Sequence, residues 1–281
     1  MEIFAEIQGL RQFIRQIKLQ KKSIGFVPTM GAFHEGHLQL VKASVQQNDI
    51  TICSIFVNPT QFNNPSDLEN YPRETAQDIS KLKSSGCAAV FIPSVQAMYD
   101  KEYTLTMNFG YLEEIMEGKY RPGHFKGVGL IVTKLFNLTE PNRAYFGTKD
   151  LQQLIIIRSL VNELLFDIEI VPVETVRAPD GLALSSRNKL LTKTERSQAT
   201  DLFKALNIAK TKLIQGESVI SVENYITDFF TNDSNIKLEY FEIVKTSNLK
   251  KIKEIKDNEA VSLCIAGYLG KVRLIDNISL N

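Results

Sequence analysis

Apolar residues at Ile3, Ile7, Leu10, Ile14 and Ile17 recur at steps of four and three, the spacing of one face of an α-helix. Lys18, Lys21 and Lys22 close that segment, where cations suit a helix C-terminus. The run SIGFVPT (23–29) then reads as a strand, followed by a glycine-containing turn and a helix through His37, Val41 and Val45. ITICSIFV (50–57) is apolar at successive positions, the pattern of a strand buried on both faces. A helix through Asp78, Ile79 and Leu82 stops at Gly86, a residue suited to a C-terminal cap. AAVFIPS (88–94) supplies the next strand.

Further along, GLIVTKLFNLT (129–139) predicts a helix and AYFG (144–147) a short strand. DLQQLIIIRSLVNELL (150–165) predicts a long helix, and IEIVPVE (168–174) a strand. Strands alternating with helices to about residue 175 imply an α/β fold, a Rossmann-like doubly wound parallel sheet with both faces covered. In such sheets ligands bind outside the strand C-termini, where the connecting loops gather.

The pattern changes after IEIVPVE. TVRAPDGLALSSRN (175–188) reads as a long, flexible polar loop. Thr192, with Glu195 three residues on, forms a capping box opening the helix ERSQATDLFKALNIAKTKLIQG (195–216). A second helix near VENYITDFFT and strands at LEYFEIVK, AVSLCIAGYL and KVRLID follow. The chain thus divides into a first domain over 1–175 and a smaller α+β C-terminal domain over 176–281. The mixed-sign run NLKKIKEIKDNE (248–259) reads as a solvated edge.

Composition narrows the class. The 281 residues carry 33 Lys+Arg against 32 Asp+Glu, a balance that leaves no electrostatic footprint for bulk nucleic-acid or membrane-surface binding. With 43% hydrophobic and 23% charged residues, the chain is neither disordered nor fibrous. No apolar run approaches the length of a membrane span, and the N-terminus lacks a signal-peptide layout. Cys53, Cys87 and Cys264 are far apart, and the first and last lie in apolar strand-like runs. Cys53 and Cys264 read as small buried hydrophobes, and a reducing cytoplasm is the default location.

The candidate chemistry gathers in loops. Three histidines, His34 and His37 in PTMGAFHEGHL and His124 in RPGHFKG, sit beside glycines. His34 and His37 are three apart at a helix start, so both imidazoles serve one object. Gly36 admits a close approach, and the helix N-terminus adds unpaired N–H groups and partial positive charge. Together they make an anion site suited to a polyphosphate. A rival reading is a metal site completed by His124, although HEGH lacks the HExxH spacing. In GLALSSRNKLL, Ser185, Ser186 and Arg187 offer two hydroxyls and a guanidinium to a pyrophosphate. In FGTKDLQQL, Lys149 at a strand end suits an α-phosphate, while Asp150 is either an N-cap or an acceptor for ribose hydroxyls. Asn58 and Gln61 in FVNPTQF are neutral amides suited to hydroxyls or a carboxylate.

Taken in order, PTMGAFHEGHLQLV, FVNPTQF, YPR, RPGHFKGV, FGTKDLQQL and LSSRN span residues 28–188 and resemble the pantothenate synthetase family. HEGH resembles the HIGH signature of the wider nucleotidyltransferase superfamily, and LSSRN stands where relatives carry a KMSKS-type loop. The resemblance implies an ATP-dependent ligase of pantothenate and coenzyme A biosynthesis. It joins pantoate to β-alanine through a pantoyl adenylate, releasing AMP and pyrophosphate, with Mg2+ as cofactor and a homodimer as the assembly.

It also implies site residues. ATP falls to Met30, Gly31, Ala32, Phe33, His34, Glu35, Gly36 and His37, to Gly147, Thr148, Lys149 and Asp150, and to Val176, Leu184, Ser185, Ser186 and Arg187. The catalytic set within them is His34, His37, Lys149, Ser185, Ser186 and Arg187, with His37 the proton donor. Gln61 and Gln153 hold pantoate, Gln61 also lies near β-alanine, and Asn58, Arg121 and His124 border the substrates. Asp78 matches an acidic position near magnesium-bound phosphates. Gln77 departs from relatives with a second acidic residue there, and Thr148 replaces a common Glu. Three alternatives stand beside this reading: a nucleotidyltransferase that leaves the nucleotide on its product, a three-histidine metalloenzyme, and a nucleotide-binding module without turnover.

Overall fold

The computed structural model describes residues 1–99 and 104–280. The chain opens with β1 (Glu2–Phe4), α1 (Ile7–Leu19), β2 (Ile24–Thr29), α2 (Glu35–Gln47) and β3 (Ile50–Ile55). Helices α3 (Pro65–Glu69) and α4 (Thr75–Ser84) lead to β4 (Ala89–Phe91). Helices α5 (Val95–Met98), α6 (Met116–Tyr120) and α7 (His124–Thr139) precede β5 (Arg143–Gly147), α8 (Leu151–Glu163) and β6 (Glu169–Val173).

These six strands form one parallel sheet in the order β1-β4-β3-β2-β5-β6. Alternate residues of each strand enter different cores, as a two-residue side-chain period requires. Phe26, Ile52, Ala89, Phe91, Ala144 and Phe146 pack with α1, α7 and α8. Val27, Cys53, Val90 and Tyr145 pack on the other face with α2 and α4. The sheet is therefore doubly wound, with its topological switch between β2 and β5, where the chain order reverses direction.

Two compact units result: Met1–Thr148 with Gln152–Glu174, and Lys149–Leu151 with Thr175–Asn281. The second contains α9 (Lys193–Gln198), α10 (Asp201–Ile214) and α11 (Val219–Asn232), then β7 (Lys237–Lys245), β8 (Val261–Leu269) and β9 (Val272–Ser279). Its antiparallel sheet β7-β8-β9 and the apolar faces of α10 and α11 enclose one core.

Several elements differ from the sequence pattern. Residues 2–4 do not begin the first helix but form an edge strand, with Ile3 opposite Val90 of β4. The long helix predicted after Thr192 is two helices, interrupted at Ala199 and Thr200, where the Thr200 hydroxyl donates to the Ser197 carbonyl. The Thr192–Glu195 capping box itself forms. Residues 176–184 are a pinned turn, with Arg177 bridged to Ala183 and the Leu184 N–H bonded to the Val176 carbonyl at 2.9 Å. Along 248–259 most side chains are exposed, but Leu249 is fully buried. All three cysteines are free and buried.

Candidate active site

Strand β2 ends at Thr29, and residues 30–34 must turn the chain into α2. Gly31 and Ala32 take successive positive φ angles of 82° and 52°. For Ala32 that conformation costs about 1 kcal/mol or more, so the turn needs an external hold. Helix α4 supplies it. Asp78, fully buried, accepts the N–H of Ala32 at 2.8 Å and of Phe33 at 2.7 Å, one on each carboxylate oxygen. Lys81, one helical turn on, donates to the Phe33 carbonyl at 2.7 Å. Asp78 is thus an anchor of the turn, with both oxygens engaged by main chain. Lys81 was not singled out from the sequence, although its spacing of three from Asp78 puts both on one helix face.

The held turn delivers His34 as the N-cap of α2. Histidine is an unusual cap, and here two rings share the task. His34 Nδ1 accepts the Gly36 N–H at 3.1 Å, and His37 Nδ1 accepts the His34 N–H at 3.4 Å. The rings lie 4.1 Å apart, and Phe33 flanks His37 at 5.1 Å. A ring nitrogen that accepts an N–H carries no proton, so each neutral imidazole bears its hydrogen on Nε2. The pair is therefore fixed as two Nε2–H donors at a helix N-terminus, the arrangement that binds anionic oxygen. Glu35, between them, is exposed.

A second cluster lies after β3. Asn58 is buried, and its Nδ2 donates to Gln61 Oε1 and to the Gly127 carbonyl, each at 3.1 Å. Gln61 Nε2 in turn meets Met30 Sδ at 3.2 Å, so Asn58, Gln61 and Met30 stand together. His124 does not sit in a loop: it opens α7 and is buried. Its Nδ1 lies 2.8 Å from the Gln61 carbonyl, and Arg121 Nη1 lies 3.2 Å from its Nε2. A carbonyl only accepts and a guanidinium only donates, so His124 is neutral with its proton on Nδ1. Arg121 also pairs with buried Glu117 at 3.7 Å. With both nitrogens engaged, His124 braces Gln61. Gln153 lies half-buried in the first turn of α8.

A cavity of about 310 Å³ opens at the C-terminal ends of β2, β3 and β4, lined by Met30, Gly31, Phe56, Val57, Asp78 and other mostly apolar groups. Such a crevice is where doubly wound sheets bind ligands.

In the second unit, Lys149 and Asp150 lie in a short 3-10 turn, their charged groups 3.5 Å apart. Asp150 is thus in the turn preceding α8 and not in the helix proper. Val176 and Leu184 are joined by main chain. Ser185 caps the following turn, its hydroxyl accepting the Arg187 N–H at 3.3 Å, and Ser186 is buried. Asn188 donates to the Ala183 carbonyl at 3.0 Å, tying the Ser-Ser-Arg turn to the residues before it. Among the described residues, no three or more His, Cys, Asp or Glu side chains are grouped to hold a metal ion, and no helix is long and apolar enough to cross a membrane.

Comparison with known proteins agrees along the whole chain. The family model for pantoate-beta-alanine ligase matches residues 2–279. A pantothenate synthetase of Caldicellulosiruptor bescii is 44% identical over 99% of this chain and 98% of its own length. The crystal structure of the enzyme from Thermus thermophilus superposes with a TM-score of 0.93 at 37% identity, covering 100% of this chain and 99% of that one. The pantoate-beta-alanine ligase of Francisella tularensis, solved with β-γ ATP and β-alanine, gives 0.82 at 36% identity, covering 100% and 98%.

Proposed function

The chain belongs to the pantoate-beta-alanine ligase family, and from that premise we infer how its residues make pantothenate from pantoate, β-alanine and ATP. A carboxylate does not accept an amine until one of its oxygens becomes a good leaving group. In the first step a pantoate carboxylate oxygen attacks the α-phosphorus of ATP, and the bond from that phosphorus to the β-phosphate oxygen breaks. Pantoyl adenylate and pyrophosphate result. In the second, the β-alanine amine attacks the acyl carbon, the acyl–phosphate oxygen bond breaks, and the amine loses its proton. The products are pantothenate and AMP.

Catalysis of the first step is chiefly positioning and stabilisation of charge on phosphate oxygens. The observation that carries the reading is the imidazole pair: main-chain N–H groups occupy both Nδ1 atoms and so put both ring protons on Nε2 at the start of α2. His34 and His37 bind the phosphates; because His37 is neutral with Nδ1 occupied, its Nε2–H acts as a hydrogen-bond donor to departing pyrophosphate and not as the proton donor that the family resemblance implied. Lys149 neutralises the α-phosphate, and Ser185, Ser186 and Arg187 hold the β- and γ-phosphates. Met30 to Phe33, Glu35, Gly36, Gly147, Thr148, Asp150, Val176 and Leu184 complete the ATP site, mostly through main chain. Gln61 and Gln153 bind pantoate. Asn58, Arg121 and His124 act by fixing Gln61, as their hydrogen bonds favour.

Magnesium is part of the same reading, but Asp78 does not fit a protein-built cage, since both its oxygens accept backbone N–H groups. Magnesium keeps several waters and binds through phosphates, so it enters with ATP. A homodimer and a cytoplasmic location complete the proposal, the second supported by three free, buried cysteines.

The test is the product balance. With ATP, pantoate and β-alanine the protein releases one AMP and one pyrophosphate per pantothenate. A product that retains the nucleotide, or release of ADP and phosphate, overturns the proposal.

A further inference from the structure

Lys149 belongs by its packing to the second unit, although the strand before it and most of the helix after it belong to the first. The reason lies in β9. Asn277 Nδ2 donates to the Lys149 carbonyl at 2.7 Å. The neighbouring residue, Asp276, is buried and accepts from Nη1 and Nη2 of Arg177, at 2.6 and 2.9 Å. Arg177 also donates to the carbonyls of Gly181 and Asn277, at 3.1 and 3.0 Å, and stacks 4.2 Å from the Phe203 ring. Gly181, at φ 91°, lies where a Cβ would come within 2.1 Å of that ring, so the 177–183 turn is seated tightly against its support. Asp276 also accepts the Asn277 N–H at 2.8 Å.

Two segments 28 residues apart, Lys149 (through Asn277) and Arg177 (through Asp276 and Asn277), are therefore fixed to consecutive residues of one strand. The second segment runs through Ala183 into Ser185–Arg187, which Asn188 ties back to it. We propose that Asp276 and Asn277 are positioning residues for adenylation: β9 sets the Lys149 turn and the Ser185–Arg187 turn in fixed register as one preassembled polyphosphate-binding element. This rests on the assignment of Lys149 and Arg187 to ATP. Desolvation raises the Asp276 carboxyl above its ordinary value, more than Arg177 lowers it. A buried pair held at such a cost fits a role in specificity of position.

The experiment is a double-mutant cycle on the full chain, reading KM for ATP, kcat and pyrophosphate exchange. Asn277→Asp keeps the shape and removes the N–H donor to Lys149; Asn277→Ala is the companion if the added carboxylate impairs folding, with circular dichroism as the check. Each raises KM for ATP about five- to tenfold, the effect of one hydrogen bond, and leaves KM for β-alanine unchanged. In a Lys149→Ala background the same substitution changes ATP kinetics less than about twofold, because its effect runs through Lys149. Amide exchange of residues 147–151 rises in Asn277→Asp. Unchanged KM for ATP in both Asn277 variants, or an effect that persists in full without Lys149, overturns the brace and leaves the Lys149 assignment standing. Near-normal exchange in Lys149→Ala alone overturns that assignment, and the brace with it.

Discussion

The smallest pieces of this protein that carry chemistry are ring nitrogens whose hydrogen bonds choose their protons. His34 and His37 accept at Nδ1 and donate at Nε2, whereas His124 donates at Nδ1 and accepts at Nε2. The two patterns suit the opposite roles proposed above, phosphate donors for the first pair and support for Gln61 for the third. His37→Ala is expected to lower adenylation by at least about a hundredfold with the unfolding midpoint nearly unchanged. His124→Ala should instead act mainly on KM for pantoate through Gln61; steady-state kinetics separates them. Gly36→Ala tests the geometry more gently, because the new Cβ meets the His34 ring at 2.9 Å. It should reduce kcat while circular dichroism stays native. HEGH exposed the pair in the sequence, but nothing local revealed the caps, since His is not a usual N-cap residue. Asp78 was legible as an acidic position near the site. Its partners Ala32 and Phe33 lie more than forty residues away, so only the folded chain shows it as their anchor.

At the scale of elements, α4 acts as a clamp on the turn after β2, taking the Phe33 N–H with Asp78 and its carbonyl with Lys81. Asp78→Ala removes the carboxylate that accepts two buried N–H groups and is expected to cost about 2–4 kcal/mol of stability, measured by urea denaturation. Lys81→Met should cost less, because the Phe33 carbonyl loses one charged donor only. Strand β3 and the entry to β4 bury two thiols. Desolvation pushes Cys53 well up and Cys87 to about 11. At pH 8 the Cys87 thiolate is then roughly a thousandth of the population, so an aromatic disulfide reagent should find neither of these two thiols reactive until the chain unfolds. The strand and helix pattern was readable wherever one periodicity ran uninterrupted. It misled at Ile3, whose spacing continues the α1 stripe while its backbone pairs with β4, and at His124, where the helix begins five residues before the apolar run at 129. In each case a tertiary contact outweighed the local pattern.

For the whole molecule, acid sensitivity follows from which carboxyls fold into donors. Arg196 holds the Asp180 carboxyl below its ordinary value, and the Thr192 N–H does the same for Glu195. Their contributions are present above about pH 4 and are lost as pH falls through the lowered values. Asp276 runs the other way: its raised carboxyl binds a proton more tightly in the folded chain, so its own contribution weakens as pH rises through that value. Urea midpoints between pH 3 and 6 should therefore drop less steeply with acid in Glu195→Gln and Asp180→Asn than in the parent. The broad plan, a doubly wound parallel sheet followed by a smaller α+β portion, was legible because strands alternated with helices up to IEIVPVE. The allegiance of Lys149 to the second unit was not, because it depends on one amide of β9 reaching a carbonyl 128 residues earlier.

The measurement that bears most directly on adenylation is exchange of labelled pyrophosphate into ATP, run without β-alanine. The account predicts exchange that requires pantoate and falls by about a hundredfold or more, to a slow but measurable rate, in His37→Ala and Lys149→Ala. Exchange that proceeds equally without pantoate, or at a near-normal rate in either variant, would contradict it.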